Sequence, residues 1–162
     1  MRKITGVLID RAVLDGFKRR ALKHYPREYA EQLWGTVGRS RAHICVIEPV
    51  DLTQQSRDSV DFDFDQQCGS EHSGLILLGS IHTHPAPWDH TSPSDSDIRS
   101  ALHDKEIIWG ICGIRKAKTR HFTSFRFLSN SHGEVELTIG ENNDIRARAA
   151  SRRSQSRIRL RG

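Results

Sequence analysis

Long apolar runs are missing from this chain. No stretch reaches 18 apolar residues, so a transmembrane helix is not expected. The opening MRKITGVLIDRAVLDGF has neither an apolar h-region nor a small-residue cleavage site, and no secretory signal is expected from it. Cysteine is scarce: Cys45, Cys68 and Cys112 are odd in number, widely spaced and form no CxxC pair. That excludes a disulfide framework and a cysteine zinc site, and makes a reducing cytoplasm the expected location. There is no internal repeat. Net charge is absent where a nucleic-acid face would need it. Residues 1–140 hold 18 basic and 18 acidic side chains, and the whole excess of +5 comes from seven arginines between 146 and 161. A neutral body argues against a basic nucleic-acid-binding module.

What remains is a chain of 162 residues, 36% of them hydrophobic, enough for one domain with a real core. KITGVLI (3–9) reads as a strand, and Asp10 as the cap of a helix over 11–24, with Val13, Leu14, Phe17 and Ala21 on one face. EQLWGTVG (31–38) and AHICVIEPV (42–50) read as strands. Residues 51–59 read as a polar connection and 60–64 as a half-buried strand. The apolar run GLILLGSIH (74–82) reads as a central strand. Ser94 stands where a helix N-cap belongs, with Asp95 and Asp97 in the first turn. Three strands close the body at 106–115, 121–128 and 134–139. The expected fold class is α/β (α+β), a mixed central sheet flanked by helices. The expected domain is 1–140, followed by an Arg-rich, disordered or frayed tail over 141–162.

The chemistry concentrates in GSIHTHPAPWDHTSPSDSD (79–97). Alternate residues of a strand share a face, so His82 and His84 can point the same way while Ile81 and Thr83 point the other. Two neutral imidazoles are good zinc ligands, and a catalytic zinc wants one more protein ligand and an open position. Asp97, on the first turn of the following helix, qualifies as that ligand. Ser92/Asp95 is the alternative register; Ser94/Asp97 is preferred because Pro93-Ser94 then caps the helix and Ile98 follows the ligand into the core. Such a site needs a base for the water's proton, and Glu31 in EQLWGTVG is preferred over Glu28, which lies close to Pro26 and before the expected strand. An isolated HxH is most often just two histidines at a strand end; the combination with a short loop, SxxD and a helix is what carries weight.

In these residues the sequence resembles the JAMM family, also called MPN+ or JAB, zinc isopeptidases that remove ubiquitin-like modifiers. Glu31 with Gly38 seven residues on, His82-Thr83-His84-Pro85, and Ser94 with Asp97 follow the family pattern, as does Gly79. Trp34 stands where the family's usual glycine would be. The loop from Pro85 to Ser94 is two residues longer than the common one. The resemblance spans about 3–140. It implies a cytidine-deaminase-like JAB/MPN fold and zinc held by His82, His84 and Asp97. It further implies Glu31 as general base, Ser94 as oxyanion donor, and a ubiquitin-like protein or its conjugate as substrate, added as an extra strand at an exposed sheet edge. Segment 65–73 is short and no ubiquitin-gripping insertion is evident, so a compact stand-alone member of prokaryotic type is expected.

Around this centre, Asp95 is read as solvent-facing or as an acceptor for a histidine N–H, His90 as an exposed loop residue, and Trp88 as packing the loop down in preference to lining the groove for an extended modifier tail. Trp34 and Trp109 are read as core. Cys68 and Cys112 receive no role. The Arg-rich tail is read as a solubilising segment or a contact for an acidic partner; no membrane and no nucleic-acid partner are expected. Three rival functions stand beside the isopeptidase. They are an inactive MPN scaffold, a same-fold hydrolase acting on a small peptide or a sulfur-carrier adduct, and a nucleic-acid-binding module.

Overall fold

The computed structural model describes residues 3–62, 72, 74–131 and 133–141. Cys68 and the expected tail beyond Glu141 lie outside the described residues. The chain begins with strand β1 (Gly6–Asp10) and helix α1 (Arg11–His24). The Asp10 carboxylate accepts from the Ala12 N–H, satisfying one of the donors that a helix start leaves free. Phe17, fully buried, stacks against Tyr29 and meets Phe125 edge-on; burying one such ring stabilises by about 1.5–3 kcal/mol.

Strands β2 (Ala30–Val37) and β3 (Arg41–Pro49) form an antiparallel pair. A short hairpin of β4 (Leu52–Gln55) and β5 (Val60–Phe62) follows. Sequence reading expects a polar connection over 51–59. The structure instead closes a turn there, because the Ser56 hydroxyl accepts from the backbone N–H of Asp58 and of Ser59, a local side-chain device that favours turns. Strand β6 (Ile76–Pro85), helix α2 (Asp95–His103) and strands β7 (Ile108–Ala117), β8 (Arg120–Ser129) and β9 (Gly133–Gly140) complete the domain. The zinc-strand candidate therefore starts later and runs further than 74–82, and both histidines lie inside it.

The mixed sheet and two helices agree with the expected α+β class. The sheet also closes on itself as a barrel in the order β1-β3-β2-β6-β7-β8-β9, with β1 pairing in parallel to both β3 and β9. Closure removes free edges from the main sheet. Among the described residues, the edge available to an added strand is therefore that of the β4–β5 hairpin.

The register sorts side chains between two faces. Ile81 pairs with Glu31 and His82 with Ala30. Ile81 and Leu33 are fully buried in the core, whereas Ser80, His82 and His84 line a cleft on the other face. At Gly79, φ is 154° and a Cβ would stand 1.9 Å from the Ile108 carbonyl oxygen. Only glycine lets β6 approach the start of β7 this closely.

Candidate metal centre

His82 and His84 leave β6 on the cleft face, and α2 brings Asp97 to meet them. Ser94 caps α2 by accepting from the Asp97 N–H, while Asp97 Oδ2 accepts from the Ser94 N–H at 2.6 Å. This capping box fixes the aspartate's rotamer. His82 Nε2 lies 3.0 Å from His84 Nε2 and 3.3 Å from Asp97 Oδ1; His84 Nε2 lies 3.6 Å from Asp97 Oδ2. Ligand bonds of about 2.0–2.1 Å at tetrahedral angles would place donor atoms ~3.3 Å apart, so the three groups fit a zinc ion.

The tautomer fits as well. His84 Nδ1 is 3.0 Å from the His90 carbonyl oxygen. A carbonyl can only accept, so Nδ1 carries the hydrogen and neutral His84 presents the Nε2 lone pair to the cluster. The loop carrying His90 is drawn onto β7 at Gly113, where a Cβ would stand 2.1 Å from the Asp89 carbonyl oxygen. Burial works against a charged His84, but hydrogen bonding to Asp97 and to the His90 carbonyl outweighs it and raises its pKa. Burial would raise Asp97 too, yet hydrogen bonds from both histidines hold its carboxyl well below the usual range. A carboxylate kept ionised beside two imidazoles is a donor set suited to a divalent cation.

The cluster lies in an open cleft of about 410 Å³. Ser94 lines it, and its hydroxyl hydrogen is free to donate because its oxygen is the acceptor in the cap. Glu31 is not in the cleft. It is fully buried on the core face, where its carboxylate accepts from Arg20 Nε and Nη2, each at 2.7 Å, and from the Tyr29 hydroxyl at 2.6 Å. Its parity on β2 matches Ile81 and Leu33, opposite to His82. Glu28, two residues before Ala30, falls on the cleft side and lines the cavity. Burial raises its carboxyl pKa, with His82 and His84 pulling against that and Asp97 adding to it. Its backbone is held by the hairpin: the Glu28 N–H donates to Ser56, and its carbonyl accepts from Gln55 Nε2 at 2.8 Å. The carboxylate brought to the cluster is thus Glu28, and Glu31 is a structural ion-pair partner.

A family profile described as prokaryotic homologs of the JAB domain matches residues 10–128. The chain belongs to the prokaryotic JAB family. Two solved structures share the fold. The first, a solution structure of a protein from Desulfitobacterium hafniense, has 20% identity and a TM-score of 0.61, covering 84% of this chain and 94% of that one. The second, the crystal structure of a JAB1/MPN domain protein from Archaeoglobus fulgidus, has 18% identity and a TM-score of 0.52, covering 83% and 98%. No curated protein matches the sequence.

In this JAB domain the remaining expectations divide. Asp95 and Ser92 are exposed and outside the cluster, and Asp97 is within it. Trp34 and Trp109 are buried, as expected of core residues. Trp88 does not pack the loop down: it is 56% exposed and sits on the cleft wall. His90 is exposed, and its contribution is the backbone carbonyl. Cys112 is fully buried, which pushes its thiol up to about 12 and leaves it inert. Sequence reading missed Ser80, Asp58, Asp61 and Glu106 on the cleft wall. Period-2 alternation from His82 back to Ser80 is the signal that finds the first. Glu106 is buried and accepts from the Ser80 hydroxyl at 2.6 Å, and burial pushes its carboxyl up to about 8. Among the described residues, no helix is long and apolar enough to cross a membrane.

Proposed function

We propose that this JAB domain is a zinc-dependent peptidase that hydrolyses the bond after the extended tail of a ubiquitin-like modifier. Family membership and the histidine–aspartate cluster support a metal-dependent hydrolase; the modifier and the peptide bond are the finer reading. The observation that carries it is the convergence of His82, His84 and Asp97 in an open cleft that a second carboxylate, Glu28, also lines.

His82, His84 and Asp97 would hold the zinc, which when bound supplies Lewis acidity and lowers the pKa of a coordinated water towards ~7. Glu28 accepts the proton of the attacking water and returns it to the leaving amine; its raised pKa brings it closer to the range in which a carboxyl can do both. The Ser94 hydroxyl donates to the oxygen that becomes anionic as the carbonyl is attacked, a contact typically worth about 2.7–4 kcal/mol. The His90 carbonyl keeps the His84 imidazole turned towards the cluster. An extended substrate tail lies along the free edge of the β4–β5 hairpin.

Zinc per chain, measured by elemental analysis on wild type, His82→Ala and Asp97→Ala, tests the ligand set. Cleavage of a ubiquitin-like fusion by the same samples tests the reaction, with Glu28→Gln as the metal-loaded inactive control. About one zinc per wild-type chain, lost in both ligand variants, together with cleavage lost in Glu28→Gln, is the expected result. A zinc-loaded wild type that cleaves no such fusion overturns the isopeptidase reading and leaves a scaffold or a small-peptide hydrolase.

A further inference from the structure

The even charge balance of residues 1–140 is the sum of two unequal parts. From 107 to 133 the chain carries Arg115, Lys116, Lys118, Arg120 and Arg126 and no acidic residue. The remainder of 1–140 holds 13 basic side chains against 18 acidic ones. All five cations belong to the β7–β8 hairpin. Arg126 pairs with Glu134 at 3.4 Å. Arg115, Lys116, Lys118 and Arg120 are exposed and have no acidic partner among the described residues.

Strand register places the end of this hairpin beside the metal centre. β7 runs parallel to β6, and His84 pairs with Gly113. β6 ends at Pro85, opposite Ile114, whereas β7 continues to Ala117. The hairpin tip therefore overhangs the rim at which the two histidines lie. Arg115, two residues past Gly113, is on the same face of the sheet as His84. One strand spacing and two residues separate their Cα atoms, about 8 Å. The loop carrying Trp88 and Asp89 crosses at Gly113, and Arg115 stands outside the cleft, which no lysine or arginine lines.

That face of the tip has the chemistry of a carboxylate site. Phe122 stands directly opposite Arg115, and Arg120 opposite Ala117, so all three side chains share the face. Phe122 is 50% exposed, and the Arg115 guanidinium lies 5.8 Å from its ring centre. A guanidinium held over a ring is steadied for a bidentate contact with a carboxylate. Arg115 and Arg120 are diagonal neighbours, ~7–8 Å apart, and carboxylates two residues apart on an extended segment match that spacing. The other face is fixed to the body: His121 meets Tyr25 edge-on at 4.9 Å, and Ile114 is buried in the core. Two arginines and one ring suit a pair of carboxylates, not the long phosphate run of a nucleic acid, which takes many such contacts.

We propose that Arg115, Arg120 and Phe122 form a docking site for an acidic patch on the protein substrate, each arginine taking a carboxylate and the ring an apolar side chain between them. The proposal rests on the hydrolase reading and narrows its substrates to proteins whose scissile tail emerges beside acidic residues.

The probe is a ubiquitin-like domain made in two forms, with the carboxylates beside its tail intact or replaced by amides. The free domain, which has no bond to cleave, is used for binding by biolayer interferometry on the zinc-loaded full chain. The same domain fused through its tail to a fluorescent protein gives KM and kcat. Wild type is compared with Arg115→Gln/Arg120→Gln, whose exposed positions should leave the melting temperature unchanged. With the acidic form, the variant is expected to bind about tenfold more weakly, mostly through a slower on-rate, and to show KM about tenfold higher with kcat retained. With the amide form the change should stay below about twofold, and in about 0.5 M NaCl the difference between forms should fade. Equal losses with both forms, or no loss with either, overturn the proposal. So does a single-stranded RNA that binds wild type more tightly than the acidic form and loses binding in the variant, which would assign the tip to nucleic acid. A chain that binds the acidic form through its arginines but cleaves no fusion keeps the docking site and sinks the hydrolase reading. Cleavage indifferent to both arginines and carboxylates does the reverse.

Discussion

Replacing Glu31 and replacing Glu28 have opposite consequences, and the difference can be worked out from their surroundings. Glu31→Ala removes a carboxylate that accepts three charge-assisted hydrogen bonds in the core. Truncating one partner of a buried ion pair costs about 3–5 kcal/mol. Arg20 is about one third exposed, so it can turn partly to water and keep its bond to the Ile47 carbonyl. The Tyr29 hydroxyl, in a buried residue, has no such escape and contributes ~1–3 kcal/mol of the loss. A net cost near 3 kcal/mol is a large share of a total of ~5–15 kcal/mol. For a chain of this length it lowers the melting temperature by roughly 6–12 °C. Glu31→Gln keeps one acceptor and should lose about half of that. Glu28→Gln should melt within ~2 °C of wild type, because a half-buried carboxyl with a raised pKa gives up little when it becomes a neutral amide. Cleavage by Glu28→Gln should nevertheless fall by ~10²–10⁴, while folded Glu31→Gln cleaves normally. Thermal melts and fusion cleavage on the four proteins, each checked for zinc content, decide the matter. Wild-type stability with lost cleavage in Glu31→Gln, and normal cleavage in Glu28→Gln, would refute the assignment drawn from strand parity.

Glu106 makes stability fall with rising pH. Its carboxyl titrates near 8 in the folded state against an ordinary 4.5, and burial with Asp104 nearby outweighs its bond from Ser80. Below about pH 4.5 both states are protonated and nothing is lost; from there to about pH 8 the unfolded chain ionises first and stability drains away, on the order of a few kcal/mol in all. Glu106→Gln should therefore match wild type in melts at pH 4 and exceed it increasingly up to pH 8, and a gap that ignores pH would contradict this. Ser94→Ala should lose about 1 kcal/mol of helix capping and ~10²–10³ in kcat with zinc content unchanged. Ser94→Thr should recover the stability, and unaltered kcat in the alanine variant would remove Ser94 from the reaction. Gly79→Ala drives a methyl into the Ile108 carbonyl and should cost at least ~3 kcal/mol; a melting temperature within ~2 °C of wild type would show that β6 and β7 can separate freely.

The grouping of His82, His84 and Asp97 was legible because two local rules coincide on it. Period-2 alternation sets His82 and His84 on one face, and helix-capping chemistry selects Ser94/Asp97 over Ser92/Asp95. Glu31 was misread for an equally local reason. EQLWGTV is buried on both faces from Glu31 to Gly35, so it shows no alternation from which to read its parity, and a glutamate there looks the same whether it faces a metal or an arginine. Arg20, the residue that explains Glu31, lies eleven positions away on a helix, and nothing in the sequence announces the pairing. Trp88 was misjudged and Glu106 missed because exposure and burial at a cleft wall depend on which elements meet there. Barrel closure was not legible either, since KITGVLI and EVELTI read as ordinary terminal strands.

That closure sets the order of events when the chain folds. Strand β1 pairs with β9 across about 130 positions, as in Gly6 with Glu136, while its other neighbour, β3, is only some 35 positions away. Strand β1 emerges before both of its partners and can therefore dock on β3 early, but its second edge stays open until nearly the last described residue has emerged. Contacts of such wide sequence separation are slow to form, and an unpaired strand edge is prone to wrong partners while it waits. Truncations that remove β9 should then leave a chain that aggregates rather than one that is merely shorter.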